Sequence, residues 1–194
     1  MIKTIKSFLL IFVFLFVVEC DSPSASTIKK QNLVTIKVFS SLTCPHCASF
    51  HDKIFYKLKE EYVVSGKVKF EHHSFPLDLA ALNAEIILRC NNSSIIDLDF
   101  LSLIYKKQNQ WAVGSDINKI NNYLKDIGKE FGLQETQMDL CLKNEDTQEK
   151  ILNSRITAQK EYNISSTPTI FINNKKYEGV HDYKKFKKEL DKLF

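Results

Sequence analysis

The stretch from Val34 to Cys47 reads VTIKVFSSLTCPHC and joins a predicted strand to a predicted helix. Its first eight residues alternate and are rich in β-branched side chains, a pattern typical of a strand. Pro45 suits the first position of a helix, because no N–H donor is needed there, and the helical pattern continues to about Tyr62. Two cysteines therefore lie at the junction between a strand and a helix.

Cys44 and Cys47 at the start of a helix have their sulfurs within one turn of each other, close enough to bond. Free N–H groups and the helix dipole stabilise an anion at Cys44, and the thiolate is the reactive form of cysteine. The dipole alone lowers a pKa of about 8.5 to near 7. Further lowering needs hydrogen bonds or a cationic neighbour, for which His46 is the candidate. Because a stabilised thiolate makes the disulfide a stronger oxidant, the pair is predicted to oxidise its targets.

Other uses of a Cys-x-x-Cys motif are disfavoured. A zinc site usually needs a second such pair, and the sequence has none. Haem attachment needs His directly after Cys47, where Ala48 stands. We therefore expect neither a metal nor a cofactor. The other histidines are interpreted as surface or hydrogen-bonded side chains: His51, His72, His73 and His181.

The rest of the chain alternates between strand-like and helical patterns. A second strand is predicted from Lys67 to Phe75, and helical periodicity follows from Leu77 to Asn144 and from Asp146 to Tyr162. A hairpin is predicted from Thr169 to Tyr177, before a final helix. The predicted inward face of that helix holds Phe186, Leu190 and Phe194. This order favours a small mixed sheet with a helical insertion.

Composition and charge limit the number of domains and the kinds of partner that the chain can have. The chain has 194 residues, 44% of them hydrophobic, and a formal net charge of +4. The length suits one domain, or one domain with an insertion, and is sufficient for a hydrophobic core. Because lysines are spread along the whole chain, the charge describes a solvated surface, and we expect no nucleic-acid partner.

The N-terminal segment 1–26 has the pattern of an export signal. Two lysines precede an apolar run from Phe8 to Val18, which is shorter than the roughly 20 residues that span a bilayer. Small residues suit cleavage after Ser26. Two alternatives stay open, an uncleaved membrane anchor and lipidation at Cys20, which Glu19 disfavours. All three export the remaining chain, where disulfides form if the compartment is oxidising.

Two distant motifs carry a family resemblance. Cys44-Pro45-His46-Cys47 follows a strand, and Ser166-Thr167-Pro168-Thr169 precedes a hairpin strand far downstream. With Ser74-Phe75-Pro76-Leu77-Asp78 before the helical block, they resemble the DsbA branch of the thioredoxin superfamily, particularly its alphaproteobacterial members. The resemblance implies an α/β thioredoxin fold with a mixed central sheet and an inserted all-helical domain. The implied parts are a signal peptide (1–26), the first part of the thioredoxin domain (27–76), the insertion (77–145) and the second part (146–194).

The resemblance also implies roles for residues outside the cysteine motif. Pro168 would follow a cis peptide bond, and Thr167 would face the cysteine pair and align substrate. One position departs from the thioredoxin pattern, since Val38 stands where a buried acid is common. How Cys47 loses its proton is therefore open, with Lys37 and Glu71 as the nearest charged residues.

The two remaining cysteines of the exported chain are predicted to bond to each other. Cys90 ends a predicted amphipathic helix, and Cys141 lies near the end of the helical block. Some alphaproteobacterial relatives carry such an extra bridge, so the resemblance favours a structural disulfide. The alternative is two buried free thiols that act as small hydrophobic groups.

The resemblance implies a periplasmic thiol:disulfide oxidoreductase that introduces disulfides into exported proteins by exchange at Cys44 and Cys47. Its partners would be unfolded or reduced exported proteins and, as reoxidant, a membrane quinone oxidoreductase of the DsbB type. A monomer is expected. The alternatives are a disulfide isomerase or reductase of the same fold, and a redox-inactive binding or chaperone module.

Overall fold

The computed structural model describes residues 33–91 and 95–194, and the sheet within these residues has four strands. The strands are β1 (Val34–Ser40), β2 (Val68–Ser74), β3 (Thr169–Ile172) and β4 (Lys175–Lys176). Their order is β2-β1-β3-β4, with β1 parallel to β2 and antiparallel to β3. The predicted mixed sheet is confirmed. The predicted signal segment 1–26, with Cys20, lies outside the described residues.

Helices fill the segments between the strands and follow the hairpin. The helical run 45–63, named α1, begins as an α-helix over Pro45–Phe50 and includes the π-helical segments His51–Phe55 and Lys59–Val63. The later helices are α2 (Leu79–Leu88), α3 (Leu98–Lys106), α4 (Gln108–Trp111), α5 (Ile117–Glu130), α6 (Glu135–Leu142), α7 (Glu145–Tyr162) and α8 (Tyr183–Asp191). The predicted order of elements is confirmed, while the domain boundaries after residues 76 and 145 stay a prediction.

The central strand β1 holds the start of α1 in place. Ile36 and Val38 on β1 are fully buried and share a hydrophobic cluster with Phe50 of α1 and Ile170 of β3. Alternating side chains of a strand in the middle of a sheet face packed layers on both sides. The loop between β1 and α1 therefore starts from a rigid part of the core.

Two packing predictions are wrong. Helix α2 is buried on most of its surface, and not on one face only, because other helices of the block surround it. Phe194 is 49% exposed, because it lies beyond the last residue of α8 and leaves the helical face that Phe186 and Leu190 share. Its ring stacks instead on Tyr62, at 5.8 Å between centroids.

Within residues 33–91 and 95–194, no helix is both long enough and apolar enough to cross a bilayer.

Candidate active site

The cysteine pair lies where β1 ends and α1 begins. Cys44 has an extended backbone and caps α1, with Pro45 at the first helical position. The Cys44 carbonyl accepts hydrogen bonds from the N–H groups of Cys47 and Ala48, at 3.0 and 3.1 Å. Both cysteines are free thiols, Cys44 being 6% exposed and Cys47 fully buried. Both cysteines are therefore buried, and Cys44 keeps a small exposed fraction that Cys47 lacks.

Hydrogen bonds lower the pKa of the Cys44 thiol to about 5. The Cys47 thiol donates the bond that contributes most, and burial of Cys44 opposes the shift. The Thr167 side chain and the backbone N–H groups of Cys47 and His46 contribute further. A thiol with this pKa is about 99% ionised at pH 7. The structure thus supplies the hydrogen bonds that the helix dipole alone lacks.

Cys47 is shifted in the opposite direction. Burial, above all, raises the pKa of the Cys47 thiol far above its ordinary range. The hydrogen bond to Cys44 and the negative charge of the Cys44 sulfur add to this effect. Cys44 is thus ionised at neutral pH while Cys47 keeps its proton. The two sulfurs therefore differ in protonation, one being a thiolate and the other a protonated thiol.

The loop before β3 brings Thr167 to the cysteines across 123 residues of sequence. Phe39 of β1 pairs with Thr169 of β3, so residues preceding Thr169 lie beside those following Phe39. The Thr167–Pro168 peptide bond is cis. Cys44 Sγ lies 3.4 Å from the Thr167 carbonyl oxygen. An ionised Cys44 has no proton to donate to that oxygen, so the stabilising hydrogen bond comes from the Thr167 side chain.

Replacing Thr167 with Val is expected to raise the pKa of Cys44 by roughly 0.7, because one hydrogen bond to the thiolate is lost. The ultraviolet absorbance of the thiolate, followed against pH, measures the change. Thr169→Val is the matched control, because the Thr169 hydroxyl bonds to the Ser166 carbonyl, at 2.7 Å. Equal midpoints for the two variants would contradict the role given to Thr167.

The His46 side chain does not have the role that the sequence suggested. It is exposed, and its backbone N–H, not its imidazole ring, lowers the pKa of Cys44. A second histidine, His181, lies in the loop before α8, with its ring 6.0 Å from the Phe50 ring of α1 between centroids. Partial burial, above all, lowers the pKa of His181. The surface position predicted for His181 is confirmed, but its proximity to α1 could not be read from sequence.

Comparison with known proteins assigns this fold to a family. The family model described as thioredoxin matches residues 29–192. The chain belongs to the thioredoxin family. The crystal structure of Wolbachia pipientis alpha-DsbA1 matches 83% of this chain and 85% of its own, with a TM-score of 0.74 and 26% identity. The predicted thioredoxin fold and the resemblance to the DsbA branch are confirmed.

Two sequence relatives have names that refer to disulfide chemistry. A protein of Rickettsia prowazekii, named a candidate protein-disulfide oxidoreductase, is 32% identical over 152 residues, which are 78% of this chain and 54% of the relative. Disulfide bond formation protein D of Bacillus subtilis is 28% identical over 172 residues, 82% of this chain and 72% of the relative. The chain spans about half the length of the rickettsial relatives it matches.

In this thioredoxin-family chain the helical block contacts the loop between β1 and α1 through Gln108. The Gln108 side-chain amide donates to the carbonyl oxygens of Leu42 and Cys44, at 2.8 and 3.1 Å. Gln108 lies 64 residues after Cys44, at the start of α4. Sequence reasoning missed this contact, because a glutamine in a polar stretch carries no motif.

The charged residues suggested for the deprotonation of Cys47 lie elsewhere. Lys37 lies over the Tyr162 ring, at 5.5 Å, and Glu71 pairs with Lys69 and His73, at 2.8 and 3.1 Å. Neither Lys37 nor Glu71 is among the groups that shift the pKa of Cys47. That suggestion is therefore not supported.

Buried polar residues near the site were also missed. His72 is hydrogen-bonded, as predicted, but its partner is the fully buried Glu85, at 2.7 Å. His51 contradicts the prediction, since it is buried and neither ring nitrogen has a hydrogen-bond partner among the described residues. Its ring stacks on Tyr105, with 4.1 Å between centroids, and burial lowers the pKa of His51.

The remaining cysteine pair lies in the helical block. Cys90 and Cys141 form a disulfide with 5.8 Å between their Cα atoms. The bridge joins the residues after α2 to α6, and the Gln137 side chain bonds to the Cys90 carbonyl beside it. Within residues 33–91 and 95–194, no cluster of three or more metal-ligating side chains occurs.

Proposed function

We propose that this protein is an exported thiol:disulfide oxidoreductase that introduces disulfides into other exported proteins through Cys44-Pro45-His46-Cys47. The observation that carries the proposal is the Cys44 sulfur, with a pKa of about 5, placed 3.4 Å from the Thr167 carbonyl oxygen. The names of the Rickettsia and Bacillus relatives support the same chemistry. Thr167 and Pro168 would present an extended backbone with which a substrate segment can pair.

The proposed reaction transfers two electrons from substrate to protein. A substrate thiolate attacks the Cys44 sulfur of the Cys44–Cys47 disulfide, and Cys47 leaves and takes up a proton. A second substrate thiolate then attacks the first substrate sulfur, which forms the substrate disulfide and releases Cys44 as a thiolate. The low pKa makes Cys44 a good leaving group, so transfer toward the substrate is favoured.

The reduction potential of the pair tests the direction of transfer. After equilibration with glutathione buffers, we expect a value of about −120 mV, which is typical of DsbA. A value near −270 mV would instead identify a thioredoxin-like reductase. Refolding of a scrambled multi-disulfide substrate distinguishes an isomerase. No exchange with any thiol substrate would leave the binding or chaperone module as the function.

The reduced protein is expected to gain stability relative to the oxidised protein as pH rises from about 5 to 8. Cys44 ionises near pH 5 in the folded reduced protein but near its ordinary pKa of about 8.5 when unfolded. A lowered folded-state pKa stabilises the fold as pH rises above it, and the gain is lost as pH falls through 5. The disulfide form has no such titration. Melting temperatures of both forms at several pH values measure the difference.

The matched control for this pH dependence is Cys44→Ala, which cannot form the active-site disulfide or the thiolate. Its melting temperature should follow the pH dependence of the oxidised protein. A constant difference between reduced and oxidised wild type from pH 5 to 8 would contradict the low pKa of Cys44.

Periplasmic location, export through the signal segment 1–26 and a monomeric state belong to the same proposal. So do the partners: reduced exported proteins, and a membrane quinone oxidoreductase of the DsbB type as reoxidant. Cell fractionation and mass measurement of the mature N-terminus test export, signal cleavage and lipidation at Cys20 together. Recovery of the full-length chain from the cytoplasm would contradict this part.

A further inference from the structure

A groove lies between the edge of the sheet and α8, apart from the cysteine pair. It has a volume of about 1000 Å³ and is lined on one side by residues 172–180, which include β4, and on the other by α8 and Leu193. None of its lining residues belongs to the segment 44–47 or to the loop at Thr167. The proposed exchange reaction therefore gives this groove no role.

Hydrogen bonds and packing fix the wall of the groove that follows β4. The Val180 carbonyl oxygen accepts hydrogen bonds from the Tyr177 hydroxyl, at 2.9 Å, and from the Asp182 N–H, at 2.8 Å. The Tyr177 ring packs edge-on against the buried Phe186 of α8, with 5.0 Å between centroids. A Cβ at Gly179 would lie 2.3 Å from the Tyr177 side chain, so glycine allows this close approach. The wall is therefore formed before any ligand binds, which lowers the cost of binding.

The groove exposes apolar side chains on both of its sides. Val180 is 60% exposed on the side of the hairpin, and Leu193 is 42% exposed on the side of α8. The half-buried Tyr177 also lines the groove. Single exposed apolar residues are normal on a protein surface, but several that line one concave site indicate contact with a partner. A ligand of this groove should therefore carry apolar groups as well as polar ones.

Lysines outnumber carboxylates along the groove. Glu178 forms an ion pair with Lys176, at 3.1 Å. Glu189 forms another with Lys192, at 2.7 Å. Each of the two glutamates is thus already paired with a lysine. The lining residues include five lysines and two glutamates: Lys175, Lys176, Lys185, Lys188, Lys192, Glu178 and Glu189.

The other three lysines of the groove, Lys175, Lys185 and Lys188, leave an excess of positive charge. Within the part of the chain that the structure describes, none of the three forms an ion pair, and Lys175 and Lys188 attract Glu189 only at longer range. Lysine on an edge strand such as β4 also deters the addition of foreign strands. That explanation does not apply to Lys185 and Lys188, which lie on α8. The excess charge therefore favours an anionic ligand.

We propose that this groove binds an acidic segment of a partner protein. Its carboxylates would pair with Lys175, Lys185 and Lys188, and its apolar side chains would contact Val180 and Leu193. A groove between two elements suits a polypeptide better than a lipid bilayer, because a bilayer surface is flat. The contacts are made by side chains, so β4 gains no additional strand. Binding needs neither Cys44 nor Cys47 and goes beyond the proposed exchange function.

A labelled peptide tests the contribution of charge. The probe repeats Glu-Leu-Glu-Ser three times, and its fluorescence anisotropy is followed as the full chain is added. Lys185→Gln with Lys188→Gln should weaken binding about tenfold, because two exposed ion pairs are lost. The matched control is Lys184→Gln with Lys160→Gln, which removes the same charge outside the groove and should change Kd less than about twofold. Added salt should weaken wild-type binding and reduce the difference between the variants.

A second pair of variants tests the apolar contribution. Val180→Ser should weaken binding of the same peptide about fivefold, because the peptide leucines lose part of their apolar contact. Leu140→Ser is the matched control, since Leu140 is 72% exposed on α6 and does not line the groove. A probe with Ser in place of Leu should bind more weakly than the original, and a probe with Gln in place of Glu should not bind.

Three results would overturn the proposal. The two lysine variants could bind the acidic peptide with equal affinity, or the Glu and Gln probes could bind equally well. Vesicles of equal parts phosphatidylcholine and phosphatidylglycerol could sediment wild type but not Lys185→Gln with Lys188→Gln, while the peptide fails to bind. That result would assign the surface to anionic lipid.

Exchange at the cysteine pair separates this proposal from the proposed function. The groove variants should react with dithiobis(nitrobenzoate) as fast as wild type, because their residues lie outside the segment 44–47. Loss of peptide binding with exchange intact would overturn the docking site alone. A wild type that binds the peptide but exchanges with no thiol substrate would support the docking site and contradict the oxidoreductase.

Discussion

Replacing Cys47 with Ala is expected to abolish turnover and to trap the protein as mixed disulfides with proteins that already contain a disulfide. Cys44 keeps a small exposed fraction and the Thr167 carbonyl beside its sulfur, so it can still react once with a disulfide. The fully buried Cys47 sulfur is the neighbour that would release the product, and without it the covalent complex persists. We expect a loss of more than about 1,000-fold in multiple-turnover exchange. Non-reducing gels and mass spectrometry measure the trapped species.

Two control variants locate the effect. Cys44→Ala should be equally inactive but should form no mixed disulfide, because Cys47 is buried and keeps its proton. The double variant Cys90→Ala with Cys141→Ala should retain exchange. Trapping through Cys47 in the Cys44→Ala protein would contradict the division of roles between the two sulfurs.

Removing the bridge between Cys90 and Cys141 is expected to lower the free energy of unfolding by about 4 kcal/mol. The two cysteines are 51 positions apart, and an intact bridge restricts the unfolded chain over that loop. A loss of this size is a large part of the stability of a typical domain. Urea unfolding of the double Ala variant, beside wild type with both disulfides formed, measures the change.

The bridge prediction has a chemical check and a matched comparison. Peptide mapping under non-reducing conditions should join the Cys90 and Cys141 peptides. Free thiols at both positions in the oxidised protein would refute the bridge. The matched comparison is Cys47→Ala, which leaves the Cys90–Cys141 bridge intact. Its unfolding free energy should differ much less from that of wild type, when the wild-type active-site cysteines are reduced.

Local pattern was sufficient for much of this fold. The alternation of β1, the helical start at Pro45 and the hairpin after Thr169 are each encoded within a few neighbouring residues, and the structure has all three. The proximity of Thr167 to Cys44 could not be derived in this way. It depends on the pairing of β1 with β3, and before the structure it rested on family resemblance alone.

The buried hydrogen bond between His72 and Glu85 shows why other features of the structure could not be predicted from sequence. His72 and Glu85 are ordinary polar residues in their local patterns, one on a strand and one on a helix. Their burial follows from the packing of the helical block against the sheet, which no short pattern reveals. The prediction that Phe194 faces inward is wrong for a simpler reason. It assumed that the helical period continues to residue 194, but α8 ends at Asp191.

The shortness of β4 matters for a protein proposed to handle unfolded chains. One edge strand of the sheet, β4, consists of only two residues, Lys175 and Lys176, and both side chains are exposed. Short, lysine-bearing edges resist the addition of a foreign strand. A substrate segment would find little backbone to pair with there, and the loop at Thr167 could compete for it. The fold thus limits nonproductive capture of the chains it is proposed to oxidise.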